Sequence, residues 1–128
     1  DLTLSTVPAQ LPADLSAVEP LAVRLAVLRH HYRRPLELNA DELHQAERTL
    51  SEWRTAVASW AESPSAPMAA EPVARIQDAL DDDLDTPAAL AGMAALAADE
   101  SVSPGSRFES FMHLDRTFAL DLASRIGR

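Results

Sequence analysis

The stretch that decides the fold is NADELHQAERTLSEWRTAVASW, residues 39–60. Apolar side chains recur in it at alternating steps of three and four residues, the spacing that places them on one face of an α-helix. They are Leu43, Ala46, Leu50, Trp53, Val57 and Trp60. Asn39 opens the stretch and Glu42 follows three residues later, as in a capping box with Asn in place of Ser or Thr. The pattern predicts a long helix with one apolar seam, in which the two tryptophans pack against other helices rather than form a ligand cage.

Helices are also predicted on both sides of this stretch, at residues 20–32, 73–83, 87–98 and 106–126. The first begins at a proline, which a first helical position tolerates, and ends before Pro35, because the residue before a proline avoids the helical region. Asp85 or Thr86 is predicted to cap the fourth helix, with Pro87 in its first turn. Residues 62–72 contain three prolines and are predicted to be a loop. The inward side chains expected in these helices are Leu21, Leu25, Leu28 and Tyr32; Val73, Ile76 and Leu80; Leu90, Met93 and Leu96 or Ala97; Phe108, Phe111, Leu114 or Asp115, Phe118 and Leu122.

The composition agrees with a helical bundle. Hydrophobic residues make up 47% of the 128 residues and aromatic residues only 5%, so the core is expected to consist mainly of Leu, Val and Ala. Ala and Leu have the lowest cost in a helix, and β-branched residues are scarce. We therefore predict an all-α fold, a helical bundle of about five helices that forms a single domain at residues 20–128. Residues 1–19, which show little helical periodicity, are predicted to be an extended lead-in.

The charge of the chain is acidic but uneven. It has 11 basic residues, all of them Arg, against 20 acidic residues, and its formal net charge of −9 argues against binding of nucleic acid by the domain as a whole. Four arginines nevertheless lie close together near the end of the first predicted helix: Arg24, Arg29, Arg33 and Arg34. The favoured interpretation is that they interact with the helix dipole and with acidic segments of the same bundle. The other is contact with a nucleic acid or a partner through Arg29, His30, Arg33 and Arg34.

Two clusters contain possible metal ligands, and for both a structural role is the favoured interpretation. Asp81-Asp82-Asp83-Leu84-Asp85 lacks the alternating spacing, central Gly and final Glu of a calcium loop. One aspartate is expected to cap a helix and the others to face solvent. His30 and His31 are neighbours, so they point apart on a helix and cannot chelate one ion together. No metal site is predicted.

Catalytic motifs and membrane segments are not found in the sequence. The chain has no Cys, which excludes disulfides, thiolate metal sites and a cysteine nucleophile. It also contains no nucleophile elbow and no Gly-rich phosphate loop. No apolar run approaches the roughly 20 residues needed to cross a bilayer, and no signal peptide opens the chain. We expect a cytoplasmic protein that has no catalytic centre of its own.

Two segments resemble a known family. AVRLAVLRHHYRRPLEL, residues 22–38, resembles the start of the helical region that follows the catalytic domain in cysteinyl-tRNA synthetases. ALDDDLDTPAAL, residues 79–90, resembles a second hallmark of that region, an acidic triplet before a capped helix. The A-E-x-x-L-x-x-W-R stretch at residues 46–54 looks closer to the paralogue in mycothiol biosynthesis, an ATP-dependent ligase that joins cysteine to glucosaminyl-inositol. The signature positions, mainly structural by this resemblance, are Arg24, His31, Tyr32, Asp82, Asp83, Asp85, Thr86 and Pro87.

The resemblance implies a non-catalytic helical domain of a class I cysteine ligase, similar to an anticodon-stem-contact domain. Such a domain would pack on a catalytic domain, in the same or a separate chain, and help to shape the substrate side. The family's HIGH and KMSKS signatures are absent, and so are Cys ligands for its zinc, so ATP and zinc are expected only in the catalytic domain. The acidic charge, the absence of Lys and the lack of a basic anticodon module before Arg128 favour the mycothiol ligase.

Two other functions remain open. One is a tRNA-binding helical module that contacts the tRNA stem through the Arg-rich helix end. The other is a freestanding protein-interaction domain that has kept the fold after losing the enzyme. Packing on a catalytic domain predicts an apolar surface patch that includes part of the lead-in and the first helix.

Overall fold

The computed structural model describes residues 19–30, 38–82 and 85–127. Its five helices are α1 (Pro20–Leu28), α2 (Ala40–Trp60), α3 (Ala70–Asp81), α4 (Thr86–Ala98) and α5 (Pro104–Phe118). The described ranges contain no strand, and the predicted all-α class is confirmed. Within the same ranges, no helix is long and apolar enough to cross a membrane. The predicted lead-in, apart from Glu19, lies outside the described residues.

The apolar seam of α2 forms the centre of the bundle. All six predicted seam side chains are buried. The rings of Trp53 and Trp60 meet Phe111 of α5 edge-on, with centroids 5.7 and 5.1 Å from that of Phe111. At the start of α2, the Asn39 side-chain oxygen accepts a hydrogen bond from the Glu42 amide at 2.8 Å. The predicted cap and seam are therefore confirmed.

The first helix ends earlier than the sequence pattern predicts. It was expected to reach residue 32, but α1 ends at Leu28 and Arg29 caps it. The His30 amide donates to the Val27 carbonyl at 3.0 Å, a bond to the third residue back that tightens the last turn and closes the helix. Its fully buried residues are Ala22, Leu25 and Ala26, while Leu21 and Leu28 are half-buried. Tyr32, the last member of the predicted stripe, lies outside the described residues.

The second half of the bundle is a pair of adjacent helices, α3 and α4. α3 begins at Ala70, inside the predicted loop, with Pro72 in its first turn; the amides of a first turn have no partner within the helix, so a proline removes nothing there. Asp85 caps α4 by accepting a hydrogen bond from the Ala88 amide at 3.2 Å, and Pro87 lies in the first turn as predicted. The buried side chains of this pair are Val73, Ile76, Ala89, Leu90, Met93 and Leu96, with Leu80 and Ala97 half-buried.

The last helix is also shorter than predicted. It was expected to continue to residue 126, but a left-handed residue, Ala119 (φ 56°, ψ 50°), ends it after Phe118. The carboxylate of Asp115 then accepts hydrogen bonds from the amides of Leu120, at 2.8 Å, and Leu122, at 3.0 Å. Both leucines are buried, so residues 119–122 form a compact turn, called the C-terminal turn below, that completes the core without being helical.

Candidate functional site

Arg29 and His30 follow the last turn of α1 and face α2. The Arg29 guanidinium donates a hydrogen bond to the Thr49 hydroxyl at 2.7 Å. Nε2 of His30 lies 3.0 Å from a carboxylate oxygen of Glu42, although the approach is not aligned for a hydrogen bond. Both side chains are thus held within the bundle. The other two candidate contact residues, Arg33 and Arg34, lie outside the described residues.

The signature positions of the sequence are spread over the bundle rather than gathered at one site. Nε of Arg24 donates to the Phe118 carbonyl at the end of α5, at 2.6 Å. Asp82 is exposed at the end of α3, and Asp85 caps α4. The Thr86 hydroxyl is 3.5 Å from the His30 carbonyl, where α4 meets the end of α1. Outside the described residues lie His31, Tyr32 and Asp83.

A groove of about 650 Å³ separates α2 from α4. Leu25, Trp53 and Leu90 contribute to its apolar lining, together with Ala91, Ala94, Ala97 and Ala98 of α4. The polar side chains in the lining are Arg29, Thr49 and Glu52. An arginine and a glutamate beside an apolar floor can orient a partner, but this set includes no nucleophile with an adjacent base.

α4 differs from the other described helices because it contains no charged residue. Its sequence is TPAALAGMAALAA, and its outward positions are all alanines. These exposed alanines, called the alanine face below, are Ala88, Ala91, Ala94, Ala95 and Ala98. A helix that is apolar on all sides is normally covered on all sides. The alanine face continues the apolar lining of the groove, so the two form one largely apolar surface, with Arg29 and Glu52 as its charged residues.

Arg54 is the one buried charged residue among those described, and it is not among the site residues predicted from the sequence. It is 8% exposed and lies on α2 next to Trp53. Its guanidinium donates to the carbonyls of Leu120, at 2.9 Å, and Asp121, at 3.1 Å, and forms a short ion pair with Glu19. The helical spacing could have indicated that Arg54 faces the core, because it stands four residues after Leu50 and three before Val57, both of which belong to the seam.

Metal ligands do not cluster in the described part of the chain. No group of three or more His, Asp or Glu side chains there could hold an ion. The Gln77 amide contacts His113 at 3.0 Å, between α3 and α5.

Comparison with known proteins gives a consistent set of relatives, although no family model matches the chain. An L-cysteine:1D-myo-inositol 2-amino-2-deoxy-alpha-D-glucopyranoside ligase of Thermobispora bispora is 43% identical over 90 residues, 68% of this chain and 21% of the relative. The ligase of the same description from Gordonia bronchialis is 45% identical over 89 residues, 70% of this chain and 21% of the relative. A cysteine–tRNA ligase of Methylocella silvestris is 51% identical over 76 residues, 59% of this chain and 15% of the relative. The chain therefore spans about a fifth of the length of the first two relatives.

Proposed function

We propose that this chain is the non-catalytic helical domain of a cysteine ligase, because it is homologous to one segment of such enzymes. Residues 20–128 would form the domain and residues 1–19 its connection to a catalytic domain. ATP and zinc would be bound by that catalytic domain, because the groove of this chain offers only Arg29, Thr49 and Glu52 as polar side chains. The chain would contribute packing and shape at the substrate side.

The observation that supports this proposal is the largely apolar surface made by the alanine face and the groove. Small side chains allow another backbone to approach closely, and burial of apolar area stabilises a contact by about 25 cal/mol per Å². Interfaces between domains of one chain typically bury about 600–1,500 Å², so the face and the groove would form the centre of such an interface rather than all of it. The relatives are long enough to provide the covering part, since about four fifths of their length lies outside the match.

The first helix adds to the proposed docking surface. Leu25 of α1 lines the groove, and so does Arg29, the residue that caps this helix. Sequence considerations had suggested an apolar patch that includes the first helix, and this arrangement supports that expectation. The surface would thus run from the end of α1 across the groove to α4.

The test is a hybrid ligase in which this chain replaces the matching segment of the Thermobispora bispora enzyme. Ala94→Glu puts a charge in the middle of the alanine face. Ala74→Glu makes the same change at an exposed position of α3, away from the groove. Burial of an unpaired charge costs several kcal/mol, so we expect Ala94→Glu to lower cysteine-dependent ligase activity at least about tenfold while Ala74→Glu has little effect. Equal activity of the two variants would refute the docking surface. An inactive hybrid with the unchanged segment would refute the proposed role in a ligase.

The acceptor proposed for the parent enzyme is glucosaminyl-inositol rather than tRNA. The matches to the inositol ligases extend over 61–70% of the chain, against 59% for the tRNA ligase. The net charge of −9 and the absence of Lys agree with an acceptor that is not a nucleic acid. The competing role, in which Arg29, His30, Arg33 and Arg34 contact tRNA, requires binding that weakens steeply with salt. We expect no tRNA binding at low ionic strength; binding that is lost in the Arg33→Ala and Arg34→Ala variants would favour the competing role.

A further inference from the structure

Arg54 connects the place where the chain enters the bundle with the segment that follows the last helix. Glu19, directly before α1, uses one carboxylate oxygen to cap the helix by accepting from the Leu21 amide at 2.8 Å. Its other carboxylate oxygen accepts from the Arg54 guanidinium. The same guanidinium donates to the carbonyls of Leu120 and Asp121. One buried side chain therefore joins two parts that are about 100 residues apart in sequence.

The C-terminal turn depends on side-chain contacts more than on its own backbone. Two of its residues, Ala119 (φ 56°) and Asp121 (φ 55°), adopt the left-handed conformation that residues with a Cβ disfavour. The turn persists because Asp115 binds two of its amides and Arg54 binds two of its carbonyls. Arg24 holds the residue before the turn through the Phe118 carbonyl. Loss of one of these contacts removes part of what offsets the backbone strain.

Burial makes these contacts interdependent. Arg54 is 8% exposed, and a buried guanidinium destabilises the fold unless its donors are satisfied and its charge is paired. Glu19 supplies the negative charge, and the C-terminal turn supplies the carbonyls. If the Glu19 carboxylate or the turn carbonyls are lost, the buried guanidinium of Arg54 is less well compensated. Its contact with the remaining partner is then weaker.

We propose that Arg54 is a positioning residue that couples the two ends of the bundle, so that the ion pair at Glu19 stabilises the C-terminal turn although the two do not touch. A change at Glu19, directly before α1, is then transmitted to residues 119–122. This inference rests on contacts within the bundle alone and does not depend on the proposed ligase role.

The test is amide hydrogen exchange in the Glu19→Gln variant. The amides of Leu120 and Leu122 are bound by Asp115 and report on the turn. Glu19→Gln weakens a charge-assisted hydrogen bond whose contribution is already reduced by the partial exposure of Glu19, so we expect these two amides to exchange about 3–10 times faster. The matched control is Glu47→Gln, because Glu47 lines the same small cavity of about 190 Å³ as Glu19 and Arg54. Exchange in α4 should not change in either variant.

Double variants separate coupling from general destabilisation. In an Arg54→Met background, Glu19→Gln should have no further effect on the exchange of Leu120 and Leu122, because the connection is already broken. If Arg54→Met does not fold, Arg54→Lys replaces it, since one ammonium cannot reproduce the fork that reaches three partners. Unchanged exchange at both leucines in Glu19→Gln would overturn the proposal, as would an equal effect of Glu19→Gln with and without Arg54.

Discussion

Gly105 lies where α5 comes closest to the loop that precedes α3, and its replacement by Ala should destabilise the bundle. A Cβ atom at this position would stand 2.1 Å from the Pro64 carbonyl oxygen and 3.2 Å from the Ala66 amide nitrogen. An ordinary carbon–oxygen contact is about 3.3 Å or longer, so the loop backbone would have to move by about 1 Å. The loop is tied to α5, because the Ser110 hydroxyl accepts a hydrogen bond from the Ala69 amide at 2.8 Å. The required movement therefore strains a segment that is anchored close by.

The magnitude follows from two opposing effects. Overpacking of a well-packed site typically costs about 1–3 kcal/mol. Ala stabilises a helix interior over Gly by up to about 1 kcal/mol, but Gly105 is the second residue of α5, where the gain is smaller. We expect Gly105→Ala to lower the free energy of unfolding by about 2 kcal/mol, which corresponds to a fall in Tm of about 5–15 °C for a domain of this size.

Gly92→Ala is the matched comparison, because the chemical change is the same and the obstacle is different. The new Cβ would lie 2.7 Å from Cγ1 of Ile76, an atom of a side chain rather than of the backbone. Ile76 can tilt, and the substitution is inside α4, so the helical gain largely offsets the clash and we expect a change within about 1 kcal/mol. Urea unfolding followed by far-ultraviolet circular dichroism measures both variants. A Gly105→Ala protein as stable as Gly92→Ala would refute the reasoning.

Three further predictions concern the core, the pH dependence and a cap. Phe111→Ala removes the ring between the two tryptophans and should cost about 3–5 kcal/mol in urea unfolding; a loss below about 1 kcal/mol would place the ring outside the core. Burial alone would raise the pKa of Glu19, but hydrogen bonds from Arg54 and the Leu21 amide outweigh it and hold the pKa below its usual value. The stabilisation is therefore complete above about pH 4.5 and lost as the pH falls through the lowered pKa, so the difference in urea midpoint between wild type and Glu19→Gln should vanish in strong acid. Asn39→Ala should lower the free energy of unfolding by about 1 kcal/mol while Asn39→Asp keeps it, and equal loss in both would exclude the cap.

The sequence was most informative where structure is determined locally. The seam of α2 and the cap at Asn39 depend on residues within a few positions of one another, and both were predicted; Asp85 was predicted as one of two possible caps. The end of α5 was not predicted, because besides the nearby Asp115 it involves Arg24 and Arg54, which are far away in the sequence. Leu122 shows the difference: it was expected to be buried and it is, yet it reaches the core from a turn instead of a helix.

The candidate site was less accessible to sequence reasoning, because it is formed between helices. On the α3 side, α4 packs closely, because a Cβ atom added at Gly92 would lie only 2.7 Å from Cγ1 of Ile76. The other side of α4 is the alanine face, whose exposure depends on the separation of α2 from α4 and not on any local pattern. The sequence shows that α4 contains no charged residue, but whether its alanines are buried or exposed depends on where the helix lies in the bundle.

Both tryptophans of the chain lie on α2 and contact the same phenylalanine of α5. α3 and α4, in contrast, pack chiefly against each other. Intrinsic fluorescence therefore reports mainly on the α2–α5 half of the bundle and senses α4 only through Trp53 at the groove. If the α3–α4 pair opens as a separate cooperative unit, a fluorescence melt will still look like a single transition, while circular dichroism loses signal earlier. The difference between the midpoint temperatures of the two curves then measures how much less stable the α3–α4 pair, which bears the alanine face, is than the rest of the bundle.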